Sequence, residues 1–418
     1  MAQLSSDCFA HGGALMRVDE AREAIHARVA TVAEPETIHP RDALGRVLLR
    51  DVISAHDVPP HANSAVDGYA VHFDDLTPDG ETRLPVTARV TAGHPLDRPA
   101  RRGEAIRIFT GSRMPDGPDT VFMQEDARAE GDEVVLAPGI ARGANVRGRG
   151  EDIRAGDTVL AAGRRLRPQD LGQAAAVGCT GLTVARPLRA ALFSTGDELR
   201  EPGVALDPGC IHDSNRYTLH GLLRAAGCTV TDMGILPDRY DAVHAALADA
   251  AADHDVILTS GGVSVGEEDH VKQAVHAQGS IHTWKLAIKP GRPIALGQLG
   301  RTPFVGLPGN PVAVMVTFIT VVRPMLERML GGTGAPPRRY RLPAAFDHRK
   351  KPARREWLRA RLVTRDDGTP AAAKVERQGS GVLSAVVESD GLVELPEDWT
   401  HLEAGTQVDF LPYSEVAG

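Results

Sequence analysis

The stretch TSGGVSVGEEDH, residues 259–270, joins two chemistries that oppose each other. Gly261, Gly262 and Gly266, with Ser260 and Ser264 beside them, suit a loop whose backbone N–H groups approach an anion. Glu267, Glu268 and Asp269 follow at once and repel one. A ligand that carries a phosphate and a divalent cation satisfies both halves. Amides and lysines hold the phosphate oxygens, and carboxylates hold Mg²⁺, a hard ion that prefers oxygen. The run WKLAIKPGRP adds positive charge. On a strand, Lys285, Ala287 and Lys289 share one face, while Trp284, Leu286 and Ile288 take the other. Two ammonium groups so close repel unless an anion or carboxylates sit between them. Further acids stand in TGDEL, where Asp197 and Glu198 follow Thr195 and Gly196, and in PDRYD, where Asp238 follows a strand-like run. PGNP at 308–311 is a rigid turn, with Pro308 leading it and Asn310 and Pro311 suited to the cap and first position of a helix.

These residues need a frame. From residue 188 to 330, apolar runs such as RAALFST, CTVTDMGIL, DVILTS, WKLAIK, PIALG and FVGLP alternate with helical spacing in NRYTLHGLLRAAG, RYDAVHAALADAAADH, EDHVKQAVHAQG and NPVAVMVTFITVVRPMLERML. That alternation predicts a mostly parallel sheet with helices on both faces. Ligands then sit beyond the carboxyl ends of the strands, where the acidic loops and PGNP fall. Residues 17–33 have helical spacing, and 53–149 break into short β-like runs punctuated by Gly and Pro. The last 80 or so residues read as a β sandwich or barrel. The predicted fold is multidomain: an elongated helix-containing domain (15–52 with 150–186), an inserted small β-rich domain (53–149), a central α/β domain (187–331) and a C-terminal β domain (332–418).

Composition narrows the class. The chain has 418 residues, 42% of them hydrophobic, so it can bury several cores. A net charge of -8 argues against a broad nucleic-acid footprint or an anionic membrane surface. The four cysteines, Cys8, Cys179, Cys210 and Cys228, are scattered, which argues against a disulfide framework or zinc site and for a reducing cytoplasm. No signal peptide or long apolar run is present. Taken singly, each motif also has a plain structural reading. The glycine loop lacks the Lys and Ser/Thr of a Walker A loop. The acids suit helix caps and turns, and the lysines suit an exposed edge. Convergence on one rim is what points to a site.

The motifs NSAVDGYA (63–70), RIFTGSRMP (107–115), RGRGEDI (147–153), STGDEL (194–199), TSGGVSVGEED, WKLAIKPGRP and GLPGNPV resemble, in order along nearly the whole chain, the molybdopterin molybdenumtransferases, the MoeA and gephyrin E-domain family. His61, Ala62 and Val66 depart from the commoner residues around the first motif. The resemblance implies an Mg²⁺-dependent enzyme that inserts molybdenum from molybdate into adenylylated molybdopterin and releases AMP. It implies a homodimer whose cleft lies between the α/β domain of one subunit and the smaller domains of the other. By motif, Asp67, Thr110 and Asp152 would face that cleft from the partner subunit, with Arg147 holding anionic oxygens. Glu198, Asp238 and Asp269 would act at the metal or molybdate, with Asp238 and Asp269 as metal ligands. Lys285 and Lys289 would bind the pterin phosphate or molybdate, and Pro308 and Pro311 would shape the rim.

Two other readings belong to different classes. The α/β domain also resembles the molybdopterin adenylyltransferases, which attach the AMP and would be the natural partner for substrate transfer. The extra β domains and NSAVDGYA weigh against that activity here. A scaffold of the gephyrin type is the second alternative, but the acidic and lysine positions of an enzyme are all retained. No Cys or Ser-His nucleophile arrangement is visible in the sequence.

Overall fold

The structure is a computed structural model that describes residues 15–261, 270–334 and 336–417. Its centre is a seven-stranded sheet formed by β1 (Leu15–Met16), β2 (Leu188–Thr195), β3 (Cys228–Leu236), β4 (Val256–Ser260), β5 (Gly279–Leu286), β6 (Pro293–Leu299) and β7 (Thr302–Leu307). Their order across the sheet is β1-β5-β6-β7-β4-β2-β3. Side chains alternate along each strand and so feed two cores. Ala190 and Leu192 of β2 join the larger core, while Ala191 and Phe193 join the smaller one on the opposite face. Helix α3 (Asn215–Ala225) closes the first face with Leu219, Leu222 and Leu223. Helices α4 (Tyr240–Asp253) and α5 (His270–Gln278) close the second with Val243, Leu247, Val271 and Val275. Strands buried on both faces must be apolar throughout, which is why VILTS and TPFVGL carry almost no charge. Each buried large aliphatic or aromatic side chain contributes about 1.5–3 kcal/mol.

The sheet is mostly parallel, with one difference from the sequence pattern. β5, β6 and β7 run antiparallel to their neighbours in that trio. Only 287–292 and 300–301 connect them, and a parallel return needs a crossover of a dozen or more residues. The WKLAIK run differs as well. Its strand begins at Gly279 and ends at Leu286, and Ile288–Lys289 then pair with Arg355 and Glu356 of another sheet. Lys285 and Lys289 are therefore both exposed but belong to different sheets.

That second sheet is the C-terminal domain. Strands Tyr340–Pro343, Gln407–Pro412, Gly391–Leu395, Arg355–Thr364 and Pro370–Lys374 pair in turn. A bridge from Ala344 to Ala372 closes the ring into a small barrel around Leu358, Val393 and Phe410.

Helix α1 (Val18–Arg28) ends before the spacing of 17–33 predicts, and the N–H groups of Val32 and Ala33 donate to the Met329 carbonyl. Met16, Val18, Ala21 and Ile25 bury against the α/β core. Strands Pro35–Ile38 and Val52–Ile53 pair with Leu182–Ala185 and Thr158–Leu160, and helix α2 (Pro168–Ala176) lies in the same unit. Between them sits a six-stranded sheet built from residues 68–136.

A buried arginine pins the loop that leaves β2. Arg216 is 3% exposed, and its guanidinium bonds Asp213 at 3.0 Å, Asp232 at 2.5 Å and Glu201 at 2.5 Å. These carboxylates push its pKa up even though burial pulls it down. Arg216→Met would strand the buried Asp213 carboxylate. It is expected to lower the stability of the α/β core by about 3–5 kcal/mol, read from amide exchange in β2 and β3. A loss well under 1 kcal/mol would show that water replaces the guanidinium.

Candidate active site

The strand register decides what meets at the rim. Thr195 at the end of β2 pairs with Leu236 of β3, Ser194 pairs with Ser260 of β4, and Ser260 pairs with Leu307 of β7. Four strands thus end together, and the loops beyond them carry Gly196, Asp197 and Glu198; Asp238; Gly261; and residues 308–311. Thr195, Glu198, Ser260, Gly261 and Pro311 line one small pocket of about 80 Å³. Asp238 is half-buried, while Asp197 and Glu198 are exposed. Gly261 is needed for this closeness. Its φ is +92°, and a Cβ there would lie 2.7 Å from the Thr195 carbonyl oxygen. The hydroxyls of Ser194, Thr195 and Thr259 are buried at the strand ends without a hydrogen-bond partner among the described residues. Orphaned buried hydroxyls are costly, and a ligand or water that bonds them offsets the cost. Gly262, Ser264, Gly266 and Asp269 lie outside the described residues.

A larger cavity, about 770 Å³, opens between this rim and the barrel. Gly261, Pro308 and Asn310 line it from one side, and Glu356, Arg359 and Ser380 from the other. Pro311 begins helix α6 (Pro311–Thr317), which runs through a π-helical turn into α7 (Arg323–Met329). Asn310 is the cap residue but makes no side-chain cap bond. Among the described residues, four cations, Lys289, Arg292, Arg354 and Arg359, line the cavity against one carboxylate, that of Glu356. Lys289 spends its charge on Glu356, Nζ to Oε1, at 2.7 Å. Lys285 is exposed and makes no ion pair among the described residues.

Arg359 differs from the other three. It is 1% exposed, and its Nη2 donates to the carbonyls of Gly379 at 3.2 Å and Arg377 at 3.5 Å. Its Nε has no partner, and it makes no ion pair among the described residues. Burial pulls its pKa below the ordinary arginine value. A buried guanidinium that makes no ion pair among the described residues suits an anion: its planar donors match phosphate and other tetrahedral oxyanions.

Two further groups stand apart. Asp67 Oδ1 accepts from the backbone N–H and the hydroxyl of Thr110, both at 2.8 Å. The backbone bond, then the hydroxyl, hold the Asp67 carboxyl below its usual value. Arg147 and Asp152 line a separate hollow of about 430 Å³ with Asn63 and Glu151. Among the described residues, none of these four side chains makes a hydrogen bond or ion pair with residues 187–334.

Sequence reasoning missed Arg292, Arg354, Glu356, Arg359 and Ser380. For Glu356 and Arg359 the signal was charge inside the strand-like REWLRARLV, where a barrel should bury apolar groups. Cys228 is buried, and its thiol is pushed up to about 12, so it supplies no nucleophile at neutral pH. Among the described residues, no group of three or more His, Cys, Asp or Glu side chains converges on a point.

Comparison with known proteins places the chain. The family described as "MoeA N-terminal region (domain I and II)" matches residues 16–178. "Probable molybdopterin binding domain" matches 191–328, and "MoeA C-terminal region (domain IV)" matches 341–413. A molybdopterin molybdenumtransferase of Haemophilus influenzae is 34% identical over 97% of this chain and 100% of its own. Molybdopterin molybdenumtransferase 2 of Mycobacterium tuberculosis is 34% identical over 94% of this chain and 98% of its own. A crystal structure of the molybdopterin biosynthesis MoeA protein from Pyrococcus horikoshii OT3 superposes with a TM-score of 0.82 at 28% identity, covering 96% of this chain and 100% of that one.

Two outcomes test this geometry. Arg359→Met removes a buried charge that no carboxylate balances. It should leave stability unchanged or raised while weakening sulfate binding by roughly tenfold to a hundredfold, the worth of a charged hydrogen bond; calorimetry with equal binding in both proteins refutes the receptor. In the second, Thr110→Val keeps the backbone bond to Asp67 and removes the hydroxyl. The Asp67 pKa should move part of the way back up, as followed by NMR titration. Because that pKa is lowered in the folded state, its stabilisation is present above the unfolded value and is lost as pH falls through the folded one.

Proposed function

The chain belongs to the molybdopterin molybdenumtransferase family, and on that premise we propose that it takes molybdopterin in its adenylylated form and releases AMP as molybdenum is inserted. The enzyme acts in molybdenum cofactor biosynthesis and inserts molybdenum into molybdopterin. The observation that carries the finer reading is the cavity between rim and barrel, where, among the described residues, four cations face one carboxylate and one of those cations, Arg359, is buried without an ionic partner. Molybdate is a tetrahedral dianion, and the substrate carries phosphates. Both need the positive charge that this acidic chain gathers here.

Each group then has a task. Lys285, Lys289 and Arg359 hold the oxyanion or the pterin phosphate. Gly262 and Gly266 lie outside the described residues, and their loop would supply backbone amides to the phosphate. The donors at the rim are oxygens: the Glu198 and Asp238 carboxylates beyond adjacent strands, and the orphan Thr195 hydroxyl. That set fits Mg²⁺, which takes one or two carboxylates and keeps several waters. Glu198 and Asp238 would hold the ion, with Asp269 as the third candidate. When bound it would offset the charge on the phosphoanhydride that loses AMP. The chain's own work is to place the oxyanion, exclude bulk water and neutralise charge.

Asp67, Thr110, Arg147 and Asp152 take part if a second copy of the chain presents them. A homodimer with a shared cleft gives these four separated groups a role, and the adenylyltransferase that makes the substrate is the candidate partner for its transfer. The same reading sets domain boundaries near 53, 150, 187 and 332 and a cytoplasmic location. Among the described residues, no helix is long and apolar enough to cross a membrane.

The test is AMP release from adenylylated molybdopterin. Release is expected only with molybdate and Mg²⁺ present. Asp269→Asn and Lys285→Ala should each cut it by about a hundredfold or more, the usual cost of losing a preorganised charge at the reacting centre, while circular dichroism stays unchanged. AMP release indifferent to molybdate, or adenylyl transfer from ATP instead, would overturn the proposal.

A further inference from the structure

The end of β4, at Ser260 and Gly261, and the PGNP turn after β7 frame the candidate site from two sides. One side chain ties them. Asn215, the first residue of α3, donates from Nδ2 to Ser260 Oγ at 2.9 Å and to the Gly309 carbonyl at 2.7 Å. Ser260 passes its own hydroxyl proton on to the Pro308 carbonyl at 3.3 Å. The end of β4, the PGNP turn and a helix are thereby joined by three bonds that involve only two side chains. Asn215 Oδ1 is buried and has no hydrogen-bond partner among the described residues. This residue lines the small pocket together with Thr195, Glu198, Ser260 and Gly261. Its own placement is fixed from behind, because the next residue, Arg216, is locked by Asp213, Asp232 and Glu201.

From this geometry we propose that Asn215 is a positioning residue. Its amide is a clasp that sets the spacing between the end of β4 and the PGNP turn, and so between Ser260, Gly261 and Pro308 at the site. The inference rests on the reading of that rim as the substrate site. Asparagine suits the position because one NH₂ group carries two donors and can serve two acceptors at once. Aspartate has nearly the same shape but only acceptors. It would repel the Gly309 carbonyl and release the turn. A misplacement of about 1 Å at a reacting centre costs roughly a hundredfold in rate, so a clasp remote from the chemistry controls kcat.

The experiment uses the full chain and the variants Asn215→Asp, Asn215→Ala and Ser260→Ala. Hydrogen exchange is measured across all peptides, and molybdate-dependent AMP release is measured alongside. The expected result is faster exchange at 257–261 and 306–312 in both Asn215 variants, with β2 and β3 unchanged. Turnover should fall by about tenfold to a hundredfold, mostly in kcat. Ser260→Ala should loosen the same two loops less, and adding it to Asn215→Ala should cost little more, because the two residues act as one unit. Unchanged exchange at both loops in Asn215→Asp overturns the clasp. Exchange raised equally throughout the α/β core, with a lowered unfolding midpoint, also overturns it and assigns Asn215 to general stability. If the unaltered protein releases no AMP, the substrate reading fails, and the exchange data still decide the clasp.

Discussion

The run from Trp284 to Lys289 belongs to two sheets, and the candidate site depends on that sharing. Trp284 and Leu286 end a strand of the α/β sheet, and Ile288 and Lys289 begin a strand of the barrel. Ala287 stands between them, its N–H donating to Met16 and its carbonyl accepting from Arg355. The carboxyl rim of one domain is therefore held against the wall of the other by covalent chain and by hydrogen bonds. Arg355 strengthens the joint by pairing with Asp19 of α1 and with Glu394 and Glu397 of the barrel. Movement at this joint would change the width of the cavity between rim and barrel.

Charge explains why the joint lies where it does. The chain carries a net charge of -8, yet the cavity between its two domains is cationic. Most arginines elsewhere are neutralised by carboxylates, as Arg216 is by three of them. Arg359 makes no ion pair among the described residues, and its burial costs folding free energy. Residues that break the ordinary rules of burial concentrate where a ligand restores the balance. The orphan hydroxyls of Ser194, Thr195 and Thr259 follow the same logic at the ends of buried strands.

The family's motifs divide between two places in one chain. One set, from Thr195 to Pro311, gathers at the rim of the α/β sheet. The other set, Asp67 with Thr110 and Arg147 with Asp152, sits around the inserted sheet without touching that rim. Asp67 is already prepared: two donors from Thr110 keep it ionised, and its second oxygen is left for something else.

The sequence alone determined a good deal. Alternating apolar and amphipathic runs gave the layered α/β domain, because burial on two faces forces that pattern. Short Gly- and Pro-punctuated runs gave the β-rich domains. The acidic loops and PGNP were legible as neighbours because strand ends of a parallel sheet share one side. Other features were decided only in three dimensions. The antiparallel β5, β6 and β7 follow from connection length, not from the runs themselves. The break at Ala287 could not be read, since WKLAIK alternates perfectly across it. Arg359, Glu356 and Asn215 stand outside the motifs, and the sequence did not tie them to the site. Their roles come from partners on other elements, such as Gly379 for Arg359, Lys289 for Glu356 and Gly309 for Asn215. Local periodicity records which face of an element is buried. It does not record which distant element is buried against it, and only tertiary packing brings those charges and amides to one cavity.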